Sequence, residues 1–176
     1  FVLDEYSIAT RVDNDICLVV DRSGSMAWDL TDAPYSYPGT MHGRSIIQNY
    51  FLPPHPTGSR WVALTVSIDT FLNVLNNNPY HPRVSLVSYA SNFEFGSYNS
   101  VVSSIDQPLT LDFNLIRTKL NTIASKPLIG NTNIAAGLRD GINSLASQAT
   151  SRPHATHNLV LLTDGVMTQG DDPVAL

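Results

Sequence analysis

The residues best suited to chemistry are Asp21, Ser23 and Ser25, in the run Val19-Val20-Asp21-Arg22-Ser23-Gly24-Ser25-Met26. They stand at alternate positions around Gly24, so three hard oxygens can turn toward one point. Such oxygens suit Mg²⁺, Mn²⁺ or Ca²⁺ rather than zinc or copper. A cation held mainly by hydroxyls keeps much of its charge and accepts a further, preferably anionic, oxygen from outside. The competing use of these residues is to cap a helix start, where Ser and Asp satisfy free N–H groups.

Two other stretches carry matching oxygens. Thr132 lies in the polar loop Gly130-Asn131-Thr132-Asn133, and Asp164 follows the apolar run Asn158 to Thr163 and precedes Gly165. If both apolar runs are parallel strands of one sheet, Asp21 and Asp164 end on the same edge, about 5 Å apart for neighbouring strands. A loop that precedes a helix reaches that edge too, because helices return antiparallel to strands. Asp21, Ser23, Ser25, Thr132 and Asp164 can therefore converge on one cation.

The elements needed to position them are legible. Residues 15–21 read as a strand buried on both faces, as in a sheet covered by helices, with the ligand-bearing loop at its C-terminal end. Trp61, Leu64, Ile68, Phe71, Leu72 and Leu75 recur at helical spacing after a cap at Thr57 or Ser59, and Asn76-Asn77-Asn78-Pro79 stops the helix. Arg83 to Tyr89 alternates as a strand. Phe93-Glu94-Phe95 and the region near Val101 suggest its antiparallel neighbour, reached through Ala90-Ser91-Asn92. Asp112 opens a second helix to about Ala124, with Leu115, Ile116, Leu120 and Ile123 inward. A third runs from the Thr132 loop to about Gln148, and residues 150–157 form a polar link before the Asn158–Thr163 strand. This order predicts a three-layer α-β-α domain with a mainly parallel sheet and one antiparallel edge strand. Residues 1–14 read as an approach segment or an extra edge strand.

Residues 27–59 break the pattern. They hold Pro34, Pro38, Pro53, Pro54 and Pro56, glycines 39, 43 and 58, and no sustained periodicity. Structureless loops of this length are uncommon and usually functional or mobile. Leaving the first site loop directly, this insertion is expected to pack over or beside the site, with Trp28, Tyr35, Tyr37 and Tyr50 lining an approach surface. The simpler alternative is a surface excursion held together by its own aromatics.

Asp21-x-Ser23-x-Ser25, a Thr in a Gly-Asn-Thr-Asn loop, and Thr-Asp-Gly after a buried strand resemble the von Willebrand factor A domain family and its metal-ion-dependent adhesion site. The match covers residues 15–26 and 59–170. The resemblance implies that Ser23, Ser25 and Thr132 ligate the ion directly. Asp21 and Asp164 would act mostly through water. It also implies binding rather than turnover: an Asp or Glu of a protein partner completes the shell of Mg²⁺ (or Mn²⁺ or Ca²⁺). Two departures stand out. The 27–59 insertion separates the first loop from the first helix, and the family's two further strands do not fit before Leu176, so additional chain is expected, the alternative being a partner that completes the sheet. Residues 9–15 (ATRVDND) resemble the lead-in to the adhesion-type domain of bacterial tight-adherence pilus-assembly proteins, which implies an extracytoplasmic or cell-surface module with a membrane tether upstream.

Composition bounds the rest. The 176 residues, 43% hydrophobic and 14% charged, suit one globular domain, and a net charge of -5 with no basic cluster argues against a nucleic-acid partner. Cys17, the single cysteine, reads as a buried core residue. No apolar run reaches the ~18 residues of a membrane span. None of the histidines (42, 55, 81, 154, 157) lies in a nucleophile motif, and His154 with His157 lacks further zinc ligands. The Gly130 loop lacks the Lys-Ser/Thr ending of a phosphate loop. The different-class alternative is a metal-dependent phosphoryl or phosphodiester hydrolase using Asp21 and Asp164, with Asp171 and Asp172 as the nearby acidic pair.

Overall fold

The computed structural model describes residues 13–31, 33–147, 152 and 154–175. Residues 1–12, most of the approach segment (1–14) and of the pilus-type lead-in (9–15), lie outside that range, and Asn14 and Asp15 already belong to the first strand. Strand β1 (Asn14–Asp21) is central, pairing in parallel with β2 (Arg83–Tyr89) on one side and β6 (Thr156–Leu162) on the other. Strand β5 (Ser103–Thr110) adds antiparallel to β2, giving the order β5-β2-β1-β6. Helices α2 (Arg60–Asn76) and α3 (Phe113–Ala124) cover one face, and α4 (Ile134–Ala146) the other.

Alternation along β1 builds both cores. Ile16, Leu18 and Val20 join Trp61, Leu64, Ile68 and Leu72 of α2 and Ile116 and Leu120 of α3, whereas Cys17 and Val19 meet Tyr89 and Leu145. Burial raises the Cys17 thiol to about 11, so it is a packing residue. Helix α4 approaches the sheet closely because Gly137 faces it. A Cβ there would lie 2.5 Å from Tyr89 Cδ1 and 3.0 Å from Val19 Cγ1. The Ser59 hydroxyl caps α2, Asp112 caps α3 and Asn133 caps α4, each accepting a backbone N–H of the first turn.

Four expectations need correction. Phe93–Phe95 (β3) is not the neighbour of β2; it pairs with Tyr98–Ser100 (β4) in a separate ribbon turned by Gly96 at φ +60°. The rings of Phe93, Phe95 and Tyr98 stack around Phe51 instead of joining the sheet. Leu115 points outward, because Phe113, with Ile116 and Leu120, takes the inward stripe. The last strand is not buried on both faces. Among the described residues β6 borders β1 alone, and Val160 and Leu161 are 37% and 36% exposed. Tyr37 sits in the α2-side core rather than on an approach surface.

The base of the sheet is held by a buried ion cluster. Asp15 accepts from Arg83 Nη2 at 2.8 Å and Nε at 3.1 Å, and from Arg152 Nη2 at 2.8 Å and its backbone N at 3.2 Å. Burial pushes the Asp15 carboxyl up, but the Arg83 and Arg152 hydrogen bonds outweigh it and hold the group below 3.8. A depressed folded-state value means that this contribution is present above pH 3.8 and is lost as pH falls through the folded value. Asp15→Asn is therefore expected to cost roughly 1.5–3 kcal/mol near neutrality, the range for hydrogen bonds to a charged group. It should also flatten the acid limb of the melting temperature–pH profile; an unchanged limb would show that Asp15 is not its source.

Candidate functional site

Parallel register brings the first and last loops together. Val20 pairs with Leu162, so Asp21 lies beside Thr163, whose hydroxyl donates to Asp21 Oδ2 at 2.8 Å. The other oxygen, Oδ1, accepts the Ser23 N–H at 2.8 Å, which curls the chain so that both serine hydroxyls face inward. A continuous line of oxygens follows. Thr132 Oγ1 donates to Ser23 Oγ at 3.2 Å, Ser23 and Ser25 Oγ are 3.1 Å apart, and Ser25 Oγ donates to Asp164 Oδ1 at 3.0 Å. All five residues singled out from the sequence thus meet at the C-terminal edge of the sheet.

The Thr132 loop is pinned from several sides. Gly24 N–H donates to the Gly130 carbonyl at 3.0 Å, Asn131 N–H to Ser91 Oγ at 2.7 Å, and Thr132 N–H to Thr168 Oγ1 at 3.0 Å. Gly130 adopts φ +97°, and a Cβ there would meet the Ser91 carbonyl oxygen at 2.9 Å, so both conformation and space call for glycine.

Three residues take roles that the sequence did not assign to them. Arg60 Nη1 donates to Asp164 Oδ2 at 2.7 Å, while its Nε and Nη2 hold the Asp29 and Thr31 carbonyls and its guanidinium lies 5.4 Å from the Trp28 ring. Tyr50 Oη accepts the Gly130 N–H at 2.9 Å. Thr163 steadies Asp21. Nothing in its spacing marked Arg60; Tyr50 was expected only as part of the approach surface, which it does line, and Thr163 stood within the Thr-Asp-Gly run itself.

Residues 27–59 form a closed excursion. Arg60 N–H donates to the Trp28 carbonyl at 2.8 Å, pinching its two ends together. Inside it lie a 3₁₀ turn, Gly39–Met41, and a short helix α1, Ile46–Tyr50, opened by a Ser45/Gln48 capping box. Trp28, Tyr35 and Tyr50 flank a cleft of about 200 Å³ whose other walls include Ser23, Ser25, Asn131, Thr132 and Thr168.

Two carboxylates stand close together at the site, one of them buried. Asp21 is fully buried; burial pushes its carboxyl up, the Ser23 N–H, Ser23 hydroxyl and Thr163 hydroxyl pull it back, and Asp164 raises it again. Among the described residues no three His, Cys, Asp or Glu side chains cluster to hold a metal. Any ion here must therefore be held largely by hydroxyls. The donor set fits a hard ion: adjacent corners of an octahedron with 2.0–2.1 Å bonds lie about 2.9 Å apart, and the successive oxygens here are spaced 3.0–3.2 Å.

Other chemistry finds less. Among the described residues no histidine lines the cleft, so neither serine has an imidazole base beside it. Asp171 pairs with Arg139 at 3.2 Å and Asp172 caps the Val174 N–H, so the acidic pair a hydrolase would recruit is engaged elsewhere.

A mainly parallel sheet with these three loops at its edge defines a class, and the family model for the von Willebrand factor type A domain matches residues 15–176; the chain belongs to that family. The fold is similar to that of the PilB minor pilin from Streptococcus sanguinis, with a TM-score of 0.58 and 25% identity over 91% of this chain and 31% of that one. It is also similar to the pilus adhesin SpaC from Lactobacillus rhamnosus GG (TM-score 0.53, 23% identity, 89% of this chain and 16% of that one). A third similar structure is the vWF domain of the type V pili tip protein Mfa5 from Porphyromonas gingivalis (TM-score 0.55, 20% identity, 90% and 40%). The chain thus spans less than half the length of each. Comparison with curated protein sequences gives no match. No described helix is long and apolar enough to cross a membrane.

Proposed function

We propose that this domain is a metal-dependent adhesion module of a bacterial surface or pilus protein. On this reading Ser23, Ser25 and Thr132 hold a divalent cation, preferably Mg²⁺, with Asp21 and Asp164 supporting it from behind. When bound, the ion supplies a Lewis-acidic position for one carboxylate oxygen of a protein partner. The observation that carries the reading is the unbroken line of hydroxyl and carboxylate oxygens running from Thr132 to Asp164 across three loops. The pilus proteins of similar fold add support for an extracellular setting.

The chain's own residues do the preparatory work. Thr163 and the Ser23 N–H fix both Asp21 oxygens, Arg60 fixes Asp164, and the Gly24–Gly130 bond keeps Thr132 over Ser23. Titration calorimetry is expected to give saturable Mg²⁺ binding that Ser25→Ala abolishes, with circular dichroism unchanged. Partners captured with Mg²⁺ should be released by a chelator. Equal Mg²⁺ affinity in wild type and Ser25→Ala would overturn the assignment.

A further inference from the structure

The metal-facing cleft is walled on its outer side by residues of the 27–59 excursion, and those walls say what shape of partner can enter. The rings of Trp28 and Tyr35 lie 4.8 Å apart at a 53° tilt, and Tyr35 is 54% exposed at the rim. Tyr50 closes the opposite side: a Cβ on Gly24 would lie 2.9 Å from Tyr50 Cε2, and the Tyr50 hydroxyl is tied to Gly130. Asn131 and Thr168 complete the wall. The volume, about 200 Å³, falls below the ~300–1,000 Å³ of drug-sized ligand pockets. At about 30 Å³ per liquid water it admits one side chain and a little backbone.

Tyr35 is further distinguished by its backbone. It sits at φ +58°, a region that aromatic residues rarely adopt and that Asn or Gly enters at little cost. Local backbone strain of this kind persists where the surroundings impose it. Here it places a large ring beside Trp28 at the mouth of the cleft.

We infer that Trp28, Tyr35 and Tyr50 form an aromatic collar selecting a protein partner that offers its acidic residue on a narrow, extended segment with apolar neighbours. This rests on the metal-adhesion reading above. A carboxylate on a broad flat surface is held off by the collar, whereas one on an extended strand passes through it. Side chains flanking the acid then lie against the exposed Tyr35 ring and the half-buried Trp28 beside it, which reward apolar groups. Polar or charged flanks gain nothing there.

The test uses three blocked pentapeptides titrated calorimetrically into the Mg²⁺-saturated protein: glutamate between two leucines, glutamate between two serines, and glutamine between two leucines. The leucine-flanked glutamate peptide is expected to bind about 3- to 10-fold more tightly than the serine-flanked one. That ratio should fall close to one in Tyr35→Asn, which suits the left-handed backbone and keeps the fold, and in Trp28→Ala. Because it is a ratio within one variant, changes in metal loading do not disguise it. Equal affinities in the wild type, a preference surviving both substitutions, or no heat from any peptide at millimolar concentration would each overturn the collar. Failure of the adhesion reading looks different: the glutamine peptide would bind as tightly as its glutamate counterpart, or the protein would take up no Mg²⁺.

Discussion

Asp21→Asn is expected to lower Mg²⁺ affinity by at least 10- to 100-fold, the range seen when a supporting group behind metal ligands is lost, while raising the melting temperature of the metal-free protein. The asparagine Oδ1 still accepts the Ser23 N–H, and the Thr163 hydroxyl can turn to the Gly165 carbonyl, already 3.5 Å away. What disappears is a buried negative charge. Burial raises the folded-state pKa of Asp21 above 3.8. The ionised carboxyl therefore penalises folding above that folded value, and the penalty fades as pH falls through it. Removing the charge removes the penalty at neutral pH. Thermal unfolding with and without Mg²⁺ reads both effects. The wild type should gain about 2.7 kcal/mol at a hundredfold excess of ion over its Kd, and the variant, at the same ion concentration, no more than about 0.4–1.4 kcal/mol. A variant with the wild-type Mg²⁺ response would show that Asp21 plays no part.

Trp61→Ala should be the most damaging change to the fold, costing about 3–5 kcal/mol, or roughly 6–20 °C in melting temperature. Trp61 is 1% exposed and shares its cluster with Met26 from the first site loop, Ala27, Tyr37 and Met41 from the excursion, and Leu64 and Ile68 from its own helix. A cavity there is bordered by three separate segments that cannot all collapse inward. Its indole Nε1 has no hydrogen-bond partner among the described residues, so Trp61→Phe removes an unsatisfied donor together with some area. Urea denaturation should then show well under half of the alanine loss. Equal losses for Phe and Ala would mean that the indole N–H has a role the packing does not reveal.

Local patterning carried far in this chain. The buried run of β1, the heptad-like stripe of α2 and the alternation in Arg83–Tyr89 appear within a residue or two of their expected bounds. The five oxygen-bearing site residues converge because parallel strands and returning helices leave little freedom at that sheet edge. Pairing was harder to read. Phe93–Phe95 alternates like a sheet strand, but Phe51 of the excursion, some forty residues earlier, draws its rings into a separate cluster. Helix α1 is too short for periodicity to reveal, although Ser45 and Gln48 carry the capping signature. Arg60 and Asp164 are 104 positions apart, and no local rule links them.

That last pairing has an arithmetic consequence for partner choice on the proposed reading. Asp21 and Asp164 bring two negative charges, and Arg60 cancels one of them at 2.7 Å. A divalent ion then leaves a single surplus positive charge, which one acidic group of a visitor neutralises in full. Neutral amides and hydroxyls would leave it standing in a poorly solvated recess, so glutamine in place of glutamate becomes a mismatch of charge as well as of chemistry.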